Sequence, residues 1–376
     1  MAQLATANNT FAFRLLTQLT AKSPGTNIFV SPYSAATALQ MALNGAAGET
    51  KTEMQNALAT SDISLQQLNA ANQAAAKLID SHDTNIILTV ANALWYRQSA
   101  RVQPGFLDAN QKFFSSTIKP LDFGNVKVAE DTINQWASDQ THGRITGIAN
   151  GMIDPTYTDL ILANAIYFKG AWLDPFNPKK TKDRLFHPAI GAERAVPMME
   201  LSQRFYYRKG PNYQAVWLSY LGFGVGMYVF LPDADSSTTL LLDHLNGQYW
   251  QQEIVSGFNL NLGSLVLPRF RVENTLELKA PLQALGMETA FKPGKADFSG
   301  MFADPHSISA VRQKTFIAVD EKGTEAAAAT AIGMVALSAE THPPKPFEMI
   351  VDRPFLFVIA DAQSGMILFV GVVNTL

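Results

Sequence analysis

The side chains that most often carry catalysis are sparse and scattered in this sequence. The chain has no cysteine and six histidines, which show no pair at the spacing by which one helix face holds a metal ion. They are His82, His142, His187, His244, His306 and His342. The nucleophile elbow G-x-S-x-G and the phosphate-binding loop G-x-x-x-x-G-K-[ST] are both absent. The sequence therefore predicts no enzyme, no metal site and no cofactor.

One segment has a composition that suggests a conformational change instead. It reads Asp320-Glu321-Lys322-Gly323-Thr324-Glu325 followed by four alanines. Because alanine is the best helix former, a helix capped by Thr324 is one interpretation. Against it, Gly323 supplies a backbone hinge. Pro343, Pro344 and Pro346 force an extended exit downstream.

If the same segment is a strand, alternate side chains share a face, and its residues divide into two different faces. Thr324, Ala326 and Ala328 fall on a face that is small and uncharged, whereas Glu325 lies on the other. A strand with such a face can slide between existing strands and bury it. Because alanine is a poor strand former, nothing forces the segment into a sheet beforehand. The pattern predicts a loop that can become a strand.

The elements that must position this segment are helices first and strands later. Ser31-Pro32 is typical of a helix start, and a further helix is predicted from Val128 to about Gln140. Strands dominate from Leu160 onward. The runs Pro354–Ile359 and Met366–Val373 are apolar on both faces, so they are predicted to be central and buried. The class is α+β.

Composition and charge remove several partners from consideration. With 47% hydrophobic and 16% charged residues, the chain can bury a large core. The net charge of −3 lacks the excess of positive charge that is typical of nucleic-acid-binding proteins. No apolar run reaches the ~18 residues of a membrane span. Although the length of 376 residues suggests two domains, no linker marks a boundary, and the amino terminus shows no signal-peptide pattern.

A series of sequence blocks resembles the serpin family over nearly the whole chain. The segment from Glu321 to Ala329 closely matches the hinge of inhibitory serpins, and the other blocks occur in the family's order. The blocks are Asn27-Ile28-Phe29-Val30-Ser31-Pro32-Tyr33-Ser34, Asn164-Ala165-Ile166-Tyr167-Phe168-Lys169-Gly170, Leu267-Pro268-Arg269-Phe270, Leu285-Gly286-Met287, Ala296-Asp297-Phe298-Ser299-Gly300-Met301, Glu321-Lys322-Gly323-Thr324-Glu325-Ala326-Ala327-Ala328-Ala329, Arg353-Pro354-Phe355-Leu356-Phe357 and Ile367-Leu368-Phe369-Val370-Gly371. This ordered series identifies the chain as resembling inhibitory serpins.

The resemblance implies one serpin domain over residues 1–376, with three β-sheets, about nine helices and an exposed reactive-centre loop at about 321–346. Family inhibitors act as suicide substrates. A serine protease cleaves the loop and is held as an acyl-enzyme, and it is trapped when the loop inserts into the main sheet. The alternative is a non-inhibitory serpin with a carrier, chaperone or storage role. Such members usually carry charge, proline or bulk at inward hinge positions, where this chain has Thr324, Ala326 and Ala328.

The resemblance also assigns the loop residues. The hinge comprises Glu321, Lys322, Gly323, Thr324, Glu325, Ala326, Ala327, Ala328 and Ala329. Counting 16 positions from Glu321, as in inhibitory relatives, places the reactive bond between Leu337 and Ser338. A leucine before the cut favours chymotrypsin-like or elastase-like serine proteases, and the family also allows a papain-like cysteine protease. The register stays open, because the neighbouring Met334, Val335 and Ala336 are cleavable too.

Two further groups of residues follow from the same match. Ser31, Ser34 and Asn164 match the polar cluster called the shutter. Gln313 takes the place of a histidine common in the family, which removes a titratable group. Trp172 matches the tryptophan at the breach, where the loop first enters the sheet, although an ordinary core aromatic is an equal alternative.

The remaining expectations concern partners and location. The segment from Ser64 to Asp83 has Lys77 as its only basic residue, so no activation by glycosaminoglycans is expected. The resemblance favours a monomer that is secreted, extracellular or periplasmic, and a cytoplasmic location stays open.

Overall fold

Local sequence signals begin and end the helices of this protein. The computed structural model describes residues 1–80, 86–114, 116–222, 224–324 and 345–376. Ser31 caps the second helix by accepting a hydrogen bond from the Ser34 amide at 3.3 Å, and Pro32 occupies the first helical position. Asn125 caps the helix predicted near Val128, which runs from Val126 to Gln140. Both predicted helices are confirmed.

The described residues form nine α-helices. They are α1 (Ala2–Lys22), α2 (Pro32–Leu43), α3 (Gly48–Ala57), α4 (Leu65–Asp80), α5 (Pro104–Phe114), α6 (Val126–Gln140), α7 (Thr238–His244), α8 (Gly247–Tyr249) and α9 (Lys279–Ala284). A π-helical turn, Trp250–Ile254, continues α8, and 3₁₀ turns cover Pro178–Lys180 and Thr289–Phe291.

The strands fall mostly in the second half of the chain. They are β1 (Ile28–Val30), β2 (Ile86–Arg97), β3 (Thr117–Leu121), β4 (Leu160–Ala171), β5 (Lys182–Phe186), β6 (Arg194–Lys209), β7 (Tyr213–Ser219), β8 (Val225–Pro232), β9 (Asn259–Pro268), β10 (Phe270–Glu277), β11 (Ile308–Asp320), β12 (Gly323–Thr324), β13 (Phe347–Ile350), β14 (Phe355–Asp361) and β15 (Ile367–Val373). The last two are buried at every position, as predicted.

The main sheet has six strands in the order β10-β11-β12-β4-β2-β3. Within it, β4 and β11 run parallel and pair directly from Leu160–Ile308 to Tyr167–Phe316. Beyond that point the two strands separate, and the two-residue strand β12 pairs with both of them. The sheet is therefore forked at one end of its central pair.

The other nine strands are joined by continuous hydrogen bonding, in which two smaller sheets meet. The reason lies in β6, which is 16 residues long. It pairs with β5 at its start, with β9 along its middle and with β7 at its end. Hydrogen bonding thus continues from one smaller sheet into the next.

Two cores flank the main sheet, and the alternation of side chains along each strand assigns residues to them. In β4, Ile161 and Ala163 face a smaller core with Ile133 of α6. Leu160 and Leu162 face the larger core, which also contains α2. α2 is buried along its whole length. Polar residues of β4 on the larger-core side are therefore held against α2, away from water.

Candidate functional site

The breach is built around Trp172, which is 2% exposed. Its indole Nε1 donates a hydrogen bond to the backbone carbonyl of Asp320 at 3.0 Å. Its ring stacks on Tyr220 with centroids 4.5 Å apart and planes 13° apart. Trp172, which directly follows β4, thus links the end of that strand to the last residue of β11.

The first hinge residues already lie in the fork between β4 and β11. Gly323 and Thr324 pair with Ala171 and Gly170 on one side and with Asp320 and Val319 on the other. Thr324 is fully buried, and its hydroxyl shares a 2.6 Å hydrogen bond with Tyr220. Burial raises the pKa of Tyr220 more than this hydrogen bond lowers it, so the phenol keeps its proton.

Glycine is required at the point where the hinge enters the fork. Gly323 has a φ of +146°, and a Cβ built there would lie 2.1 Å from the Gly170 carbonyl oxygen. Any side chain would therefore push the hinge away from β4. The hinge interpretation of Gly323 rests on this close approach.

Glu321 anchors the hinge before it enters the fork. Its side chain is 6% exposed, and both oxygens accept hydrogen bonds from the Arg269 guanidinium at 2.6–3.0 Å. Thr181 donates a further hydrogen bond to the same carboxylate. Burial alone would raise the pKa of Glu321, but the hydrogen bonds from Arg269 and Thr181 outweigh it and hold the pKa below its usual value.

The structure brings together the four residues predicted for the shutter. The Gln313 side chain bridges to Ser31 twice, accepting from the Ser31 amide at 2.7 Å and donating to its carbonyl at 2.9 Å. Gln313 also donates to the Asn164 side chain, which in turn donates to Ser34. Ser31 donates its hydroxyl to the Leu368 carbonyl at 2.7 Å. The cluster thus links α2 to β4, β11 and β15.

Asn92 completes the shutter and was not predicted. It pairs in register with Asn164 across β2 and β4, just as Gln313 pairs with Asn164 across β4 and β11. Asn164 donates to the Asn92 side-chain oxygen, which also accepts from Ser34 at 3.3 Å. One row of amides therefore crosses three strands. A single asparagine within the apolar run Val90–Trp95 was the only signal in the sequence.

Several predicted residues lie outside the described residues. Among the hinge residues, these are Glu325, Ala326, Ala327, Ala328 and Ala329; the reactive-bond residues Leu337 and Ser338 lie outside as well. Of the hinge, the structure places Glu321, Lys322, Gly323 and Thr324. Sequence reasoning missed Tyr220, Thr181 and the anchoring role of Arg269, because each comes from a distant part of the chain.

Within the described ranges, His, Asp and Glu side chains form no cluster that could hold a metal ion. None of the helices in the same ranges combines the length and apolar character needed for a bilayer span.

Comparison with known proteins turns this geometry into a family assignment. The model of the Serpin (serine protease inhibitor) family matches residues 6–376. The chain is a serpin. It is 36% identical over 385 residues to the leukocyte elastase inhibitor of Sus scrofa, covering 99% of each chain.

Solved serpin structures are similar over almost the full length. Tengpin, a thermophilic serpin in the native state, superposes with a TM-score of 0.88 at 29% identity, covering 99% of this chain and 94% of tengpin. Human thyroxine-binding globulin with its bound hormone gives 0.88 at 27% identity, covering 99% and 98%. These relatives do not support the expectation of secretion, which stays a prediction.

Proposed function

We propose that this serpin is a suicide inhibitor of a serine protease, acting as one domain over residues 1–376. The protease serine attacks the Leu337 carbonyl, the bond to the Ser338 nitrogen breaks, and an acyl-enzyme forms. The segment from Thr324 to Leu337 then inserts between β4 and β11. At about 3.3 Å per residue, these 14 or so residues carry the ester roughly 45 Å along the sheet.

The observation that carries this proposal is the position of Gly323 and Thr324 in the fork. Because both residues already pair with the two strands, an inserting loop extends an existing strand. The first pairing of the new strand therefore does not have to form during insertion. The inward face beyond Thr324 starts with Ala326 and Ala328. Neither side chain carries a polar atom whose burial between the strands needs a partner.

The proposed target is a chymotrypsin-like or elastase-like protease, because a leucine before the cut fits an apolar specificity pocket. The leukocyte elastase inhibitor among the relatives supports this choice. A papain-like cysteine protease is a second target. No cofactor is needed, and the protein acts as a monomer. We expect no glycosaminoglycan activation, since Lys77 is the only basic residue of α4.

A non-inhibitory carrier role is the alternative, favoured by the similarity to thyroxine-binding globulin. A carrier needs no loop insertion, so a bulky or charged residue at the buried hinge position would be tolerated. Thr324 is instead small and fully buried. This difference favours inhibition.

The test is to mix the protein with chymotrypsin and, separately, with pancreatic elastase. We expect a band at the summed mass of the two proteins that survives boiling in SDS, because the acyl ester is covalent. Mass spectrometry of the released carboxyl-terminal peptide should begin at Ser338. Cleaved protein without the high-mass band, with both enzymes, would exclude trapping and favour the carrier role.

A further inference from the structure

Three large apolar side chains lie exposed side by side on β6 and β9. Leu260 and Leu262 are 45% and 49% exposed, and Tyr206 is 45% exposed. Tyr206 pairs in register with Leu260, and Arg204 pairs with Leu262. Residues two apart on a strand share a face, so all four side chains lie on one surface of the sheet. We name Arg204, Tyr206, Trp217, Leu260 and Leu262 the β6–β9 patch.

Aromatic packing makes the patch rigid. Tyr206 pairs in register with Trp217 of β7, with ring centroids 5.2 Å apart. The indole of Trp217 lies against Gly226, where a Cβ would come within 1.7 Å of its Nε1. The Trp217 indole therefore packs directly on the Gly226 backbone, and its ring also contacts that of Tyr206. Rigid aromatic rings lose little conformational entropy when a partner binds, so they suit an interface.

The patch also carries an exposed cation, Arg204. Among the described residues, it forms no ion pair or side-chain hydrogen bond with an acid. Tyr, Trp and Arg are the residue types that dominate binding energy at protein interfaces. A partner that fits this surface offers aliphatic side chains against Leu260 and Leu262, and a carboxylate against Arg204.

The position of the patch indicates which partner reaches it. A groove of about 290 Å³, lined by Trp172, Trp217, Tyr206 and Leu260 among others, joins the patch to the breach, where the hinge enters the sheet. On the other side, β13 lies next to β9, and its Phe347 pairs in register with Gly263, the neighbour of Leu262. The described residues on both sides of the segment 325–344 therefore border the patch. A protease that holds this segment stands over the same region.

We propose that the β6–β9 patch is a second contact surface for the target protease, outside the cleaved loop. This inference rests on the proposed function, because it assumes that the partner is a protease. The patch contacts the body of the protease before cleavage, so it raises the rate of association and helps to select the target. The protease must then present an apolar surface with an acidic side chain beside its active-site cleft.

The experiment compares surface variants that leave the loop intact. Leu260→Thr combined with Leu262→Thr removes the aliphatic surface while keeping strand-compatible side chains. Arg204→Glu reverses the charge. Leu240→Ser is the matched control, because Leu240 is 49% exposed on α7, outside the patch. The readouts are the second-order rate constant of inhibition of elastase and chymotrypsin, and the affinity for the same proteases with the catalytic serine replaced by alanine.

We expect the Thr double variant and Arg204→Glu each to lower the rate constant and the affinity about tenfold for at least one of the two proteases. The stoichiometry of inhibition should not change, and Leu240→Ser should match wild type. The rate for wild type should also fall with salt, and Arg204→Glu should lose that dependence. If both variants stay within twofold of wild type for both proteases, the patch is not a docking surface.

Two controls keep this inference separate from the proposed function. Thermal unfolding of each variant identifies any loss of folding. If the Thr double variant is unstable, Arg204→Glu alone tests the patch. If wild type forms no SDS-stable complex, trapping is wrong, yet binding to the alanine-substituted protease still decides the patch. Equal affinity of wild type and variants in that assay would overturn it.

Discussion

The breach and the shutter lie on the same two strands, β4 and β11, and differ in how those strands meet. At the breach the strands are apart, with Gly323 and Thr324 between them. At the shutter they pair directly, and Gln313 and Asn164 join them through their side chains as well as their backbones. On the proposed mechanism, the loop therefore enters the sheet at one end and meets the side-chain hydrogen bonds in the middle.

The difference indicates an order of events for insertion. Gly170 at the breach lies six residues from Asn164, about 20 Å along the strand. A loop that inserts progressively from Thr324 first breaks backbone hydrogen bonds between β4 and β11. It replaces each of them with a hydrogen bond of its own. Only then does it meet the amide row, whose side-chain hydrogen bonds it cannot replace. On the proposed mechanism, the breach sets whether insertion starts and the shutter resists its progress.

Blocking entry at the breach should have the largest effect. In Thr324→Arg, a charge would have to be buried beside Tyr220 and Trp172, so insertion should not begin. We expect a substrate instead of an inhibitor, with the moles of serpin consumed per mole of protease rising more than tenfold. Titration against chymotrypsin measures this ratio. Thr324→Ser keeps the hydroxyl and should behave as wild type, and undiminished inhibition by Thr324→Arg would refute the inward position.

Removing the centre of the amide row should come next in size. Asn164→Ala leaves Asn92 and Ser34 without their shared donor and Gln313 without one acceptor. We expect the free energy of unfolding to fall by about 2–3 kcal/mol, because these groups stay buried. Urea denaturation measures the change.

A double-mutant cycle shows whether the hydrogen bonds of the amide row are coupled or contribute independently to stability. Asn92→Ala combined with Asn164→Ala should cost less than the sum of the single changes, with a coupling of about 1 kcal/mol. Strict additivity would show that the amides do not act together, and the contrast between the two regions would lose its basis.

The hinge anchor should give the smallest effect. Glu321→Gln removes the charge facing Arg269, which is 44% exposed and can be hydrated, so the loss should be about 1 kcal/mol at pH 7. The folded-state pKa of Glu321 is lowered. Its contribution is therefore present above the unfolded pKa of about 4.3 and is lost as the pH falls through the folded value.

This sign gives the anchor a pH test. The stability difference between wild type and Glu321→Gln should be constant from pH 8 to about pH 5 and should shrink below pH 4. Urea denaturation across this range measures it. A difference that grows on acidification would mean that the pair does not stabilise the folded state.

The sequence predicted what depends on local pattern and missed what depends on distant contacts. The small, uncharged face of the hinge could be recognised from its local pattern, whereas Asn164 and Gln313 were predicted only from the resemblance to serpins. Asn92 was missed because its partner lies across the sheet on β4, 72 residues away. That the two smaller sheets are joined could not be predicted, because it depends on the long-range pairing of the strand β6.

The central claim is that the cleaved loop becomes a strand between β4 and β11. Cleaving the segment 325–344 with a protease that escapes, and then measuring thermal unfolding, tests it most directly. Some 14 inserted residues, at about 1 kcal/mol per hydrogen bond, should raise the unfolding midpoint by about 20 °C or more. Cleaved Thr324→Arg should show no such rise. A cleaved wild type that melts at or below the temperature of the intact protein would contradict insertion.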